Sequence, residues 1–144
     1  MWVIYSIVAA ILWGLDYSVT DMALKRINIS TLLAIELCIG FIIMLGISVA
    51  SGAYEADMAV ILSSKRIIGY VVLIAIAFNV ANALIVLSIG NKNATLAGLI
   101  EISYPLFIVF FSRILFNEYD LNGRIMIGGV LIILGVCFVL LFSN

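Results

Sequence analysis

The sequence predicts an all-α integral membrane protein, a five-transmembrane-helix bundle with little chain outside the bilayer. Three observations carry that expectation. Of the 144 residues, 66 % are hydrophobic and only 10 % are charged, whereas a soluble domain is about half apolar and about a quarter charged. The mean hydropathy is +1.34. The apolar residues fall in long continuous runs, without the two-residue alternation of a transmembrane barrel.

Composition also excludes several function classes. A formal net charge of -1 offers no electrostatic footprint for nucleic acid. The chain has no histidine, so imidazole acid-base chemistry and histidine metal ligation are absent. Cys38 and Cys137 lie in apolar runs without metal-ligand spacing and read as small packing residues. There is no phosphate-cradling glycine loop closed by lysine and serine or threonine, and no nucleophile-base cluster. Neither an enzyme nor a cofactor is expected. The start, MWVIYS, lacks a basic leader, so the first run reads as a retained helix.

The first helix is expected at about residues 2–24. Its second half, WGLDYSVTDMAL, places Trp13, Asp16, Tyr17, Thr20 and Asp21 at the three-four spacing of one helix face. Carboxylates facing lipid are costly, so this stripe should face protein or a cavity. Asp21 stands four residues before Lys25, and an interfacial pair with it is the plain alternative. Gly14 allows close backbone approach.

After a short connection at residues 25–30, in which Asn28 or Ser30 can cap, the second helix is expected at 31–51. It carries Glu36, with Gly40 four residues on. Residues 52–67 form the longest polar break; within it, 57–62 is weakly amphipathic and too short to span. The third helix, 68–89, is apolar apart from Asn79, Asn82 and Ser88. The two asparagines share a face and suit hydrogen bonds to another helix or to a ligand.

The fourth helix, 95–116, organises the functional reading. At about 22 residues and roughly 33 Å it crosses a bilayer core, and it places Glu101 about two turns inside. Glu101 shares a face with Tyr104, Pro105 and Ile108. A carboxyl group at that depth needs a partner or a water-filled cavity. Pro105 removes the amide that would bond the carbonyl of Glu101, so a kink is expected there, with the freed carbonyl served from the bundle side. The fifth helix, 125–142, is preceded by Glu118, Asp120 and Arg124; it holds Gly128, Gly129 and Gly135 but no charge, and reads as a packing element. Five crossings put the termini on opposite sides. Lys65, Arg66, Arg113 and Arg124 then face Lys25, Arg26 and Lys92, a weak bias under the positive-inside rule that permits either orientation.

The substrate- or proton-binding candidates are thus Glu101, Asp16, Tyr104, Tyr17, Trp13, Asn79, Asn82 and Glu36. The order of short motifs resembles one repeat of the drug/metabolite transporter superfamily, an EamA-like domain. The resemblance rests on Leu12-Trp13-Gly14 with its polar helix end, Asn28-Ile29-Ser30, Ala97-Gly98-Leu99, Tyr104-Pro105-Leu106-Phe107, Asn117-Glu118, and Ile127-Gly128-Gly129-Val130 with Ile133-Leu134-Gly135. It covers nearly the whole chain.

The resemblance implies half of an inverted-repeat transporter in the cell membrane, completed as an antiparallel homodimer or by a paralogous second half. It implies a small-molecule substrate and contact with membrane lipid. Glu36 stands where the family often has a basic residue, and Glu101 where hydroxyl or small residues are usual; two intramembrane acids favour a cationic or polar metabolite, or exchange against protons, over an anionic sugar phosphate. The alternative is a non-transporting membrane subunit whose acids pack against partner helices.

Overall fold

The computed structural model describes residues 1–117 and 123–142, the side chains of 123–126 excepted. The expectations for Glu118, Asp120 and Arg124 lie outside the described residues. Every regular element described is helical. Four stretches are long and apolar enough to cross a membrane: Trp2–Ala23, Ile29–Ala50, Lys65–Asn91 and Ala94–Phe116; Ile127–Phe142 forms a shorter apolar helix. The chain divides into two units, Met22–Leu87 on one hand and Met1–Asp21 with Ser88–Asn144 on the other.

The first unit in chain order is built on α1 (Trp2–Ala23). In it Ser6 and Ser18 return their hydroxyls to the carbonyls four residues back, Trp2 and Gly14, which keeps these polar groups satisfied within the helix. The same unit takes up the chain again beyond Leu87, at the end of α4.

The other unit holds α2 (Ile29–Ala50), α3 (Ala53–Ser63) and most of α4 (Lys65–Asn91). Asn28, in extended backbone, starts α2 by accepting the Ser30 amide at 3.0 Å, the usual service of an asparagine N-cap. Gly52 ends the connection with φ 71, a left-handed conformation that a residue without Cβ adopts at little cost. The polar break between the second and third spans is therefore a helix, α3, and not a loop. It packs on α2, and its 11 residues are about 16 Å long, half of what a bilayer core requires. Ser64, extended at φ -139, separates α3 from α4, and its carbonyl then accepts the Ile68 amide.

Back in the first unit, Asn93 opens α5 (Ala94–Glu101) and accepts the Leu96 amide at 2.8 Å. α5 stops after eight residues, and α6 (Tyr104–Phe111) starts with Pro105 in its first turn. Proline cannot supply the amide that would continue the ladder to Glu101. The chain instead tightens: Ser103 N bonds the Ile100 carbonyl at 3.2 Å and Leu106 N the Ser103 carbonyl at 3.1 Å, the three-residue spacing of a narrower turn. Beyond α6, Ser112–Phe116 forms a π-helical turn that ends at Asn117, φ 58. α7 (Gly123–Phe142) packs on α5.

Few residues are withdrawn from the surface of this chain. Among those described, Val86, Ile89 and Ala97 are the buried apolar residues and Thr20 and Asn82 the buried polar ones. The exposed remainder is overwhelmingly large and apolar, the surface of a chain that meets lipid or other helices. Cys38 and Cys137 are also exposed, so they do not pack inside this chain.

Candidate functional site: a carboxylate among aromatic rings

On α1, Ala10, Trp13, Gly14 and Tyr17 recur at helical spacing and form one stripe. On the other side of the same unit, Gly98 and Glu101 lie three residues apart on α5, followed at the break by Ile102 and at the start of α6 by Tyr104. These eight residues line a cavity of about 420 Å³, a volume within the usual range for small-molecule sites. Its walls are apolar and aromatic, with one carboxylate.

The two helices meet through that carboxylate. The Tyr17 hydroxyl donates to Glu101 Oε2 at 2.5 Å, a bond that joins positions 84 residues apart in the chain. The Tyr17 ring is placed by two neighbours. Trp13 meets it edge-on, with centroids 5.6 Å apart and planes at 61°, and a Cβ at Gly98 would lie 3.4 Å from Tyr17 Cδ2. The ring thus lies against α5 at Gly98, where an added Cβ would meet it in ordinary van der Waals contact. Tyr17 and Glu101 are half-buried, whereas Trp13 and Tyr104 are 48 % and 57 % exposed. The cavity is open on that side.

Asp21 contributes to the frame of the site and not to its lining. Its Oδ2 accepts the Ala94 amide at 3.4 Å, at the positive end of α5, where a carboxylate is favoured. α5 is therefore attached to α1 at both ends, through Asp21 and Tyr17.

The candidates named from sequence divide as follows. Trp13, Tyr17, Glu101 and Tyr104 are brought together, with Pro105 just beyond the break. Asp16 is exposed and outside the cavity lining; it follows the spacing of the stripe, but a step of about 100° per residue separates it from Tyr17. The other candidates belong to the second unit. Glu36 is half-buried on α2. Asn79 is exposed and donates its amide to the Ala75 carbonyl of its own helix at 2.8 Å, while Asn82 is buried. The lining residues not singled out as candidates from sequence are Ala10, Gly14, Gly98 and Ile102. Gly14 and Gly98 did carry a signal, since small residues mark close approach of membrane helices.

Several apolar helices of membrane length define a multi-pass helical membrane protein. Residues 1–141 match the model of the EamA-like transporter family, and the chain belongs to that family. Its function is membrane transport, within the drug/metabolite transporter superfamily, and not enzymatic catalysis. No curated protein and no solved structure matches the chain.

Proposed function

We propose that the chain is a small-molecule secondary transporter, or one repeat of one, that carries a cationic or polar metabolite and exchanges it against protons at Glu101. The supporting observation is the Glu101 carboxylate, held by Tyr17 and set among the rings of Trp13, Tyr17 and Tyr104 in one cavity. Aromatic faces attract cations, and a carboxylate in a low-dielectric cavity must be neutralised by a proton or a cation before the site can close. Binding one releases the other, which couples the two fluxes. The interruption between α5 and α6 lies immediately after Glu101, so occupancy of the carboxylate and bending of the span act at the same place.

A single repeat supplies one wall. The exposure of Trp13 and Tyr104 leaves a side for a second copy in antiparallel orientation, or for a paralogous repeat, to complete an alternating-access site. Asp16, Glu36, Asn79 and Asn82 serve in this reading as secondary polar groups of the translocation path.

The test is uptake into vesicles containing equal amounts of folded protein, with and without an imposed pH gradient, for the wild type and Glu101→Gln. The amide keeps the shape and the bond to Tyr17 but cannot exchange a proton. Proton-driven uptake should disappear while assembly survives. Uptake at the wild-type rate would return Glu101 to a packing role.

A further inference from the structure

We propose that Gly14 sets the bulk of substrate that the cavity admits, by keeping the space beside Tyr17 and Glu101 free of side-chain atoms. The proposal rests on the reading of Glu101 as the group that receives a cationic substrate, and it adds size to charge as a criterion of selection. Two glycines line the cavity, Gly14 on α1 and Gly98 on α5. They differ in what stands over them. A Cβ at Gly98 would touch the Tyr17 ring, 3.4 Å from Cδ2. At Gly14 the same atom would meet nothing within 4 Å outside its own stretch of α1. No other described helix of the chain therefore uses this glycine for close approach, and what lies beside it is the cavity.

Helical geometry brings Gly14 to the level of the carboxylate. At about 100° per residue, Trp13 and Gly14 stand about 40° and about 60° to opposite sides of Tyr17, and Ala10 about 20° to the Gly14 side. A long side chain on a helix leans toward the N-terminus and covers the preceding turn. The Tyr17 ring, and with it the Glu101 Oε2 that its hydroxyl reaches at 2.5 Å, thus comes level with residues 13 and 14. One flank of this pair is filled by the Trp13 ring, 5.6 Å from that of Tyr17 between centroids. The other flank carries only the hydrogen of Gly14 and the methyl of Ala10. A cation held by Glu101 has its free volume there. The Gly14 carbonyl already accepts the Ser18 hydroxyl at 2.8 Å, so the contribution of this residue is space and not polarity. Any side chain at position 14 takes its volume from the cavity of about 420 Å³, next to the charge.

The experiment is calorimetric titration of the purified full chain in detergent with two primary amines of equal charge, slender n-butylammonium and bulky 1-adamantylammonium. The wild type should bind both, and Glu101→Gln neither. Gly14→Leu should weaken adamantylammonium about tenfold or more, the usual consequence of overpacking, and butylammonium by no more than about twofold. Gly14→Ala should fall between the wild type and Gly14→Leu, so that the loss follows the volume added. Both replacements are better helix formers than glycine, which favours folding of α1, and Gly14→Ala carries the comparison if the leucine variant does not fold. Gly46→Leu, at a glycine of α2 that is equally open but outside the cavity lining, should change neither affinity. Size-exclusion chromatography of each variant reads assembly separately. Equal losses for the two amines, or a change of assembly in Gly14→Leu, would make position 14 a contact for a second copy and overturn its role in selection. Unchanged affinities in Gly14→Leu, or a wild type that binds butylammonium alone, would overturn it as well, while leaving Glu101 as the site. Failure of the wild type to bind either amine, or binding that survives Glu101→Gln, would remove the underlying reading of Glu101, and this proposal with it.

Discussion

The Asp21 carboxylate accepts the Ala94 amide at 3.4 Å, fastening the end of α1 to the first residue of α5. Asn93 caps the same helix end through the Leu96 amide at 2.8 Å. The shorter, local bond should be worth more. Asn93→Ala should lower stability by about 1 kcal/mol, and Asp21→Asn, which keeps an acceptor but removes the charge, by about 0.3–1 kcal/mol. Thermal unfolding in detergent measures both. A larger loss from Asp21→Asn than from Asn93→Ala would mean that Asp21 does more than hold this helix end.

Leu106 and Gly129 test the packing of α7. A Cβ at position 129 would lie 3.1 Å from Leu106 Cδ2, tight but against the movable end of a side chain. Gly129→Ala should therefore cost roughly 1 kcal/mol or less, and Gly129→Leu about 1–3 kcal/mol through overpacking. Adding Leu106→Ala should recover part of the second loss, a coupling that a double-mutant cycle reads directly. Strict additivity would place the two residues out of contact.

Pro105→Ala restores an amide opposite the Glu101 carbonyl. The expected outcome is a continuous helix from α5 into α6, visible as slower amide hydrogen exchange at residues 102–106. Stability should rise by about 0.5–2 kcal/mol, and uptake should fall because the interruption is lost beside the carboxylate. Unchanged exchange in this stretch would show that Ile102 and Ser103 bend for a reason other than the proline.

Asp16 and Glu101 should behave differently. Asp16 is exposed and outside the cavity lining, so Asp16→Asn should change stability by no more than about 0.5 kcal/mol and depress proton-driven uptake far less than Glu101→Gln. Equal losses in vesicles with matched protein content would place Asp16 beside Glu101 in the mechanism.

Orientation in the membrane can be set by charge. With five crossings, basic residues would be almost balanced between the two sides, with Lys65, Arg66, Arg113 and Arg124 against Lys25, Arg26 and Lys92. Two lysines added beside Lys25 and Arg26 should drive one orientation, as read by labelling introduced cysteines from each side. If antiparallel pairs are the active form, uptake should fall in proportion; full uptake from a single-orientation sample would exclude them.

Much of this protein was legible in its residues. Continuous apolar runs of membrane length have few physical solutions, because every backbone amide must be satisfied without water. Run length and hydropathy therefore sufficed for the fold class. The stripe of Trp13 and Tyr17 and the place of Glu101 inside an apolar run were legible for the same reason, since polar groups in lipid are costly enough to stand out. The helical state of Ala53–Ser63 was not, because its short and weak amphipathic pattern is shared by many interfacial loops. Nor could the chain order reveal that Glu101 meets Tyr17 across 84 residues, that the Tyr17 ring lies on Gly98, or that Asp21 turns to Ala94. Those pairings depend on the rotation of α1 about its own axis against α5. That angle is decided by how small and large side chains fit between the two helices, and periodicity within either one leaves it free.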